Sequence, residues 1–159
     1  MWGKGSIVDV NEKPGLYQRD GSIGIITLDR PHRLNAINVG LLRALMAHLD
    51  TARTDKGARV VLLTGEGRSF CAGEDLKETA AGKDLDTWLE ETDRLREIER
   101  LILKLGKPII AAVKGYALGG GCEFAMACDI RIGSDDAVFG FVETGVGFTV
   151  TTAGTKLLT

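Results

Sequence analysis

The stretch 115–123, GYALGGGCE, decides how this chain is read. Gly119, Gly120 and Gly121 stand six residues after an apolar run at 109–113, and Glu123 follows between Cys122 and Phe124. Glycine loses more backbone freedom on ordering than any other residue, so three in a row need a purpose. One purpose is close packing of a helix on a strand. The other is approach: without a Cβ, backbone N–H groups at a helix start are open to a ligand. Those first donors lack intrahelical partners and sit at the positive end of the helix dipole.

A second loop follows the same plan. Residues 64–76, TGEGRSFCAGEDL, come after the apolar run 60–63 and precede a helical segment. Two such loops side by side can aim two N–H donors at one carbonyl oxygen, which is an oxyanion hole. Two carboxylates accompany them: Glu123, and Glu143 after AVFGFV at 137–142. Each admits a plain reading, Glu123 as a charge–dipole contact at an exposed helix start and Glu143 as a solvated loop residue. Taken as a pair near one oxyanion hole, they can hold a water between them, one orienting it and the other exchanging a proton.

The remaining chain supplies a scaffold for these loops. Runs at 6–10 and 22–28 read as strands, broken by turns at NEKPG and RDG. Asn38 is placed to cap a helix on which Leu41, Leu42, Leu45, Met46 and Leu49 recur at helical spacing. Residues 58–65 and 107–115 predict strands buried on both faces. Between them, 85–105 predicts a long amphipathic helix with Trp88, Leu89, Leu95, Ile98, Leu101, Ile102 and Leu105 on one stripe, and with charges such as Glu97 and Arg100 at pairing distance elsewhere. A short helix from the triple glycine and strands near 129–134 and 137–141 complete an alternation typical of α/β layers with crossover connections.

Composition narrows the function classes. The chain has 159 residues, a formal net charge of −2 and 44% hydrophobic content, the profile of one ordinary globular domain. No basic block speaks for nucleic acid or an anionic membrane. No apolar run approaches the roughly 18 residues of a membrane helix. The start does not read as a signal or transit peptide. Cys71, Cys122 and Cys128 are odd in number and lack CxxC spacing, which speaks against zinc and a disulfide framework and suits a reducing cytoplasm. The GEGRSF stretch lacks the third glycine of a dinucleotide fingerprint, and Ser69 has no GxSxG elbow. His32 and His48 stand apart, which supports no histidine-based triad. The last residues, TTAGTKLLT, read as the opening of a helix with no cap to close it, so the sequence is expected to be part of a longer protein.

Four segments carry a resemblance. LDRPHRLNAIN (28–38), GRSFCAGEDLKE (67–78), KPIIAAVKGYALGGGCEFAMACDIRI (107–132) and FGFVETGVG (139–147) stand in the order and spacing of the enoyl-CoA hydratase/isomerase, or crotonase, family, which the chain resembles over essentially its whole length. The resemblance implies a spiral of ββα turns in one core domain, 1–159, incomplete before its C-terminal helices. It implies an oxyanion hole from the N–H groups of Glu74 and Gly120, with Glu123 and Glu143 as the catalytic pair. Coenzyme A contacts map to Arg33, Leu34 and Ala36 and to Ala72, Gly73, Asp75 and Leu76, with Gly119 beside the acyl group. The implied substrate is an acyl-CoA thioester, with no metal and no cofactor beyond the coenzyme A it carries, in a homotrimer or dimer of trimers. Hydration of a trans-2-enoyl-CoA is the leading expectation. The alternatives are 3-enoyl to 2-enoyl isomerisation, other acyl-CoA enolate chemistry, or a non-catalytic CoA-binding assembly subunit.

Overall fold

The structure, a computed structural model, describes residues 15–146. Strand β1 (Gly15–Asp20) pairs antiparallel with β2 (Ile23–Leu28) through a turn in which Gly21 has φ +54°. Arg19 and Asp20, expected in that turn, are the last residues of β1, and only Gly21 and Ser22 reverse the chain. Pro31–Arg33 form a single tight helical turn, followed by helix α1 (Val39–Thr54). Asn38 caps α1, its side chain accepting from the Leu41 N–H at 2.9 Å.

Strand β3 (Val60–Gly65) then joins β2 in parallel. Helices α2 (Leu76–Ala80) and α3 (Leu85–Leu103) carry the chain back to β4 (Ile109–Val113), parallel to β3. A short β5 (Tyr116–Leu118) and helix α4 (Gly120–Ala127) precede β6 (Ile130–Gly133), parallel to β4, and β7 (Val138–Gly140) pairs with β5. The main sheet therefore runs β1-β2-β3-β4-β6, with β5-β7 as a small second sheet. Parallel neighbours need crossovers of a dozen or more residues, and each intervening helical segment supplies one. The expected strand at 6–10 and helix opening at 151–159 lie outside the described residues.

The core gathers Ile26 and Leu28, Leu41, Leu42, Leu45 and Leu49, Val61 and Leu63, Ile98 and Ile102, Ile109 and Val113, with Phe70 and Phe124. Strands β3 and β4 alternate between buried and half-buried positions, so the expected burial on both faces holds fully on the helix-covered face alone. Helix α3 departs from its expected stripe in an informative way. Leu89 is exposed, whereas Glu91 and Glu99 are buried. Glu97 and Arg100 pair as their spacing suggests, at 2.7 Å. Among the described residues no helix is long and apolar enough to cross a membrane.

Candidate active site

Three chain segments lie side by side and build the site. The Cys71 N–H donates to the Tyr116 carbonyl, and the Leu118 N–H to the Cys71 carbonyl, which fastens residue 71 beside β5. On the opposite side the Ala72 N–H donates to the Leu34 carbonyl, the Ile37 N–H to the Gly73 carbonyl and the Asp75 N–H to the Ile37 carbonyl. This pattern leaves the N–H of Glu74 turned away from Ile37, since in a parallel bridge the central residue faces outward. Leu34 and Asn35 hold φ near +54° and +55°, uncommon for a leucine. Asn35 makes that bend affordable: it is fully buried and donates to the Glu66 and Ser69 carbonyls at 2.9 and 2.8 Å.

The triple glycine does three different jobs. Gly119 has φ +51° and ψ −126°, a region nearly closed to residues with a Cβ, and its N–H donates to the Gly140 carbonyl. Gly121 is a packing glycine, because a Cβ there would stand 2.3 Å from the Cys71 carbonyl oxygen. Gly120 opens α4 with an N–H belonging to the first turn, and a Cβ there would meet Ile37 at 2.8 Å. Of the purposes considered for the sequence, close packing is present at Gly120 and Gly121.

These segments enclose a cavity of about 140 Å³ lined by Ala72, Gly73, Glu74, Leu76, Gly119, Gly120, Glu123 and Glu143, together with Ile37, Trp88, Glu91, Thr92, Leu95 and Val142. Both expected glutamates line this cavity. The Glu123 backbone N–H donates to the Gly119 carbonyl at 3.0 Å, and a Cβ at Gly119 would stand 3.1 Å from Glu143 Oε1. Glu123 is buried at 2% exposure, and Glu143 Oε2 is buried with no hydrogen-bond partner among the described residues. Burial pushes the neighbouring Cys122 thiol up, and the charges of Glu123 and Glu143 add to that rise.

Arg33, Leu34, Ala36 and Asp75 are not brought to the cavity wall. Asp75 instead faces Arg30, itself 2% exposed, at 3.3 Å, and accepts from the first N–H groups of α2. Ser69 is buried, and its hydroxyl donates to the Tyr116 carbonyl at 3.1 Å, a structural bond. No group of three or more His, Cys, Asp or Glu among the described residues is placed to hold a metal ion.

Sequence reasoning missed a charged cluster in the wall. Lys83 donates to Glu74 Oε1 and, at 2.6 Å, to Glu91 Oε2, and its ammonium stands 5.1 Å from the centre of the Trp88 ring. Thr79 also donates to Glu74 Oε1, so the Glu74 carboxylate is anchored beside α2. Burial works against the Lys83 charge, yet the bonds to Glu74 and Glu91 outweigh it and hold the ammonium above its ordinary range. Burial likewise pushes the Glu91 carboxyl up against the pull of Lys83. The available signal was helical spacing: Trp88, Glu91, Thr92 and Leu95 fall at i, i+3, i+4 and i+7, one face of α3.

Paired loops tied to the strands, a glycine-opened helix and a cavity lined by Glu123 and Glu143 define an α/β protein with a candidate site between its loops. The family model for enoyl-CoA hydratase/isomerase matches residues 18–159, and the chain belongs to that family. It is 39% identical over 146 residues to a short-chain-enoyl-CoA hydratase of Clostridium acetobutylicum, covering 90% of this chain and 55% of that protein. It is also 39% identical over 143 residues to the 2,3-dehydroadipyl-CoA hydratase of Escherichia coli, with 90% and 55% covered. Among solved structures, an enoyl-CoA hydratase from Bacillus anthracis superposes with a TM-score of 0.86 at 34% identity, over 92% of this chain and 57% of that one. The fold is that of the crotonases, and the chain spans about half the length of the relatives it matches.

Proposed function

We propose that this chain carries the acyl-CoA site of an enoyl-CoA hydratase, which adds water to a trans-2-enoyl-CoA to give a 3-hydroxyacyl-CoA. The observation behind this reading is that Glu123 and Glu143 line one cavity together with Glu74, Gly119 and Gly120. The hydratase names of its relatives support it.

In the proposed reaction the thioester oxygen accepts from the N–H groups of Glu74 and Gly120. Glu123 and Glu143 hold one water. Its oxygen bonds to carbon 3 as the carbon–carbon double bond shifts its electrons toward the thioester, and charge builds on the thioester oxygen. Glu143 then delivers a proton to carbon 2, and the water's own proton replaces it on the carboxylate. One oxyanion-hole donor is worth about 3 kcal/mol of barrier, and acid–base help about 10²–10⁴-fold. The steps call for no metal, flavin or nicotinamide. Coenzyme A would lie along the joined loops at Arg33, Leu34, Ala36, Ala72, Gly73 and Leu76. Asp75 would serve there through Arg30 and the α2 cap, with its carboxylate engaged internally.

The test is the ultraviolet band of crotonyl-CoA followed over time with the protein. Loss of the band supports hydration. A second reading, 3-enoyl to 2-enoyl isomerisation, is favoured by the unpartnered Glu143 Oε2, because it needs chiefly one carboxylate. A persistent band with crotonyl-CoA, but a growing one with a 3-enoyl-CoA, would replace the first reading by the second.

A further inference from the structure

The α3 wall of the cavity holds a polar group that the proposed reaction does not use. Glu91 is 1% exposed, lines the cavity, and gives one oxygen, Oε2, to Lys83. Its other oxygen, Oε1, is buried with no hydrogen-bond partner among the described residues. A buried acceptor left without a donor is unfavourable, and a ligand that supplies the donor relieves it. We propose that Glu91 Oε1 is a specificity element that accepts a hydrogen bond from a hydroxyl on the acyl chain, so that the preferred ligand is a hydroxyl-bearing acyl-CoA. This rests on the reading of the cavity as an acyl-CoA site.

The surroundings select the chemistry of that donor. Trp88, Leu95, Ile37 and Val142 offer apolar contacts to methylene groups, so the recognised group is a single polar one on an otherwise aliphatic chain. Lys83 engages Glu91 through Oε2 and is in turn held by Glu74, which leaves Oε1 as the oxygen without a partner among the described residues. The cluster contains two carboxylates and one ammonium. An acyl chain ending in a carboxylate would therefore meet repulsion, while a neutral hydroxyl would not. A site built to bond a hydroxyl rejects the analogue that lacks it, because its own polar group is then stranded.

The experiment is calorimetric binding of saturated CoA thioesters to the 159-residue chain, a readout that needs no turnover. 4-Hydroxybutanoyl-, 5-hydroxypentanoyl- and 6-hydroxyhexanoyl-CoA are each compared with the thioester in which methyl replaces hydroxyl, and with adipyl-CoA. At least one hydroxyl compound is expected to bind about 10- to 100-fold more tightly than its methyl counterpart, and adipyl-CoA more weakly than either. In Glu91→Leu the hydroxyl advantage should vanish and the methyl compound should gain. Equal binding of all pairs, or an advantage that persists in Glu91→Leu, overturns the inference while leaving the acyl-CoA reading intact. Failure of every thioester to bind overturns both together.

Discussion

Glu143 Oε1 lies so close to Gly119 that a Cβ at that glycine would stand 3.1 Å from it. The same residue, at φ +51°, accepts from the Glu123 N–H. One glycine thus sets both the start of α4 and the space beside the Glu143 carboxylate. Gly119→Ala should cost about 1–3 kcal/mol of stability from the disallowed backbone region. Enoyl-CoA turnover should fall by more than that loss explains, because Glu143 must shift. Turnover measured well below the thermal midpoint separates the two effects. An alanine variant of full activity would remove Gly119 from the site.

Substituting the glutamates distinguishes positioning from proton transfer. Glu143→Gln keeps size and shape but cannot exchange a proton, so kcat should drop by about 10²–10⁴-fold while acyl-CoA binding persists. Glu123→Gln should cost hydratase turnover more than 3-enoyl isomerisation, since isomerisation asks chiefly for Glu143. Parallel assays with crotonyl-CoA and a 3-enoyl-CoA, alongside calorimetric binding, check both statements. An equal loss on the two substrates would argue that Glu123 acts on the pocket as a whole.

Much of this geometry was legible before any coordinates. Helix α1 with its Asn38 cap, strands β3 and β4, and the helix opening at the triple glycine all follow from spacing and apolar runs, because each is local in sequence. Strand β5 was not legible: Tyr116–Leu118 lie inside a glycine-rich loop and become a strand through pairing with β7 and residue 71. The wall of the cavity was partly hidden for a similar reason. Glu91 sits on the inward face of α3, where a carboxylate contradicts the amphipathic pattern, and its partner Lys83 comes from the turn before the helix. A buried ion pair of this kind is fixed by tertiary contact, which helical periodicity does not record. Arg30 is another such residue, since its partners Asp75 and Glu78 lie more than forty positions away.

That arginine carries its own prediction. Arg30 and Asp75 are both nearly inaccessible, at 2% and 3%, and removing one member of a buried pair strands the other. Asp75→Asn also weakens the cap of α2, whose N–H groups of Lys77 and Glu78 bond Asp75 Oδ1. The expected loss is about 3–5 kcal/mol, read from urea unfolding. Glu78→Gln touches the same guanidinium through a carboxylate 40% exposed, and should cost less than about 1 kcal/mol. If both variants unfold alike, Arg30 is not held by Asp75.

The thiols give a pH signature with a definite sign. Burial pushes Cys71 up to about 12, and Cys128 likewise to about 12, and it raises Cys122 as well. The thiolate is the reactive form, so at pH 8 the folded protein should resist iodoacetamide until unfolded in urea, as followed by mass spectrometry. Linkage fixes the consequence for stability. A thiol whose folded value lies above its unfolded value of about 8.5 binds its proton more tightly when folded. Its contribution is whole below about pH 8.5 and fades as pH climbs toward 12. Tyr17, raised to about 12 by burial and by its bond to Asp55, adds a similar loss beginning near pH 10. The thermal midpoint should therefore decline above about pH 9, and Cys71→Ala should flatten the early part of that decline, whatever it costs in packing. A midpoint that stays level to pH 11 would mean that these groups titrate in the folded chain as they do in water.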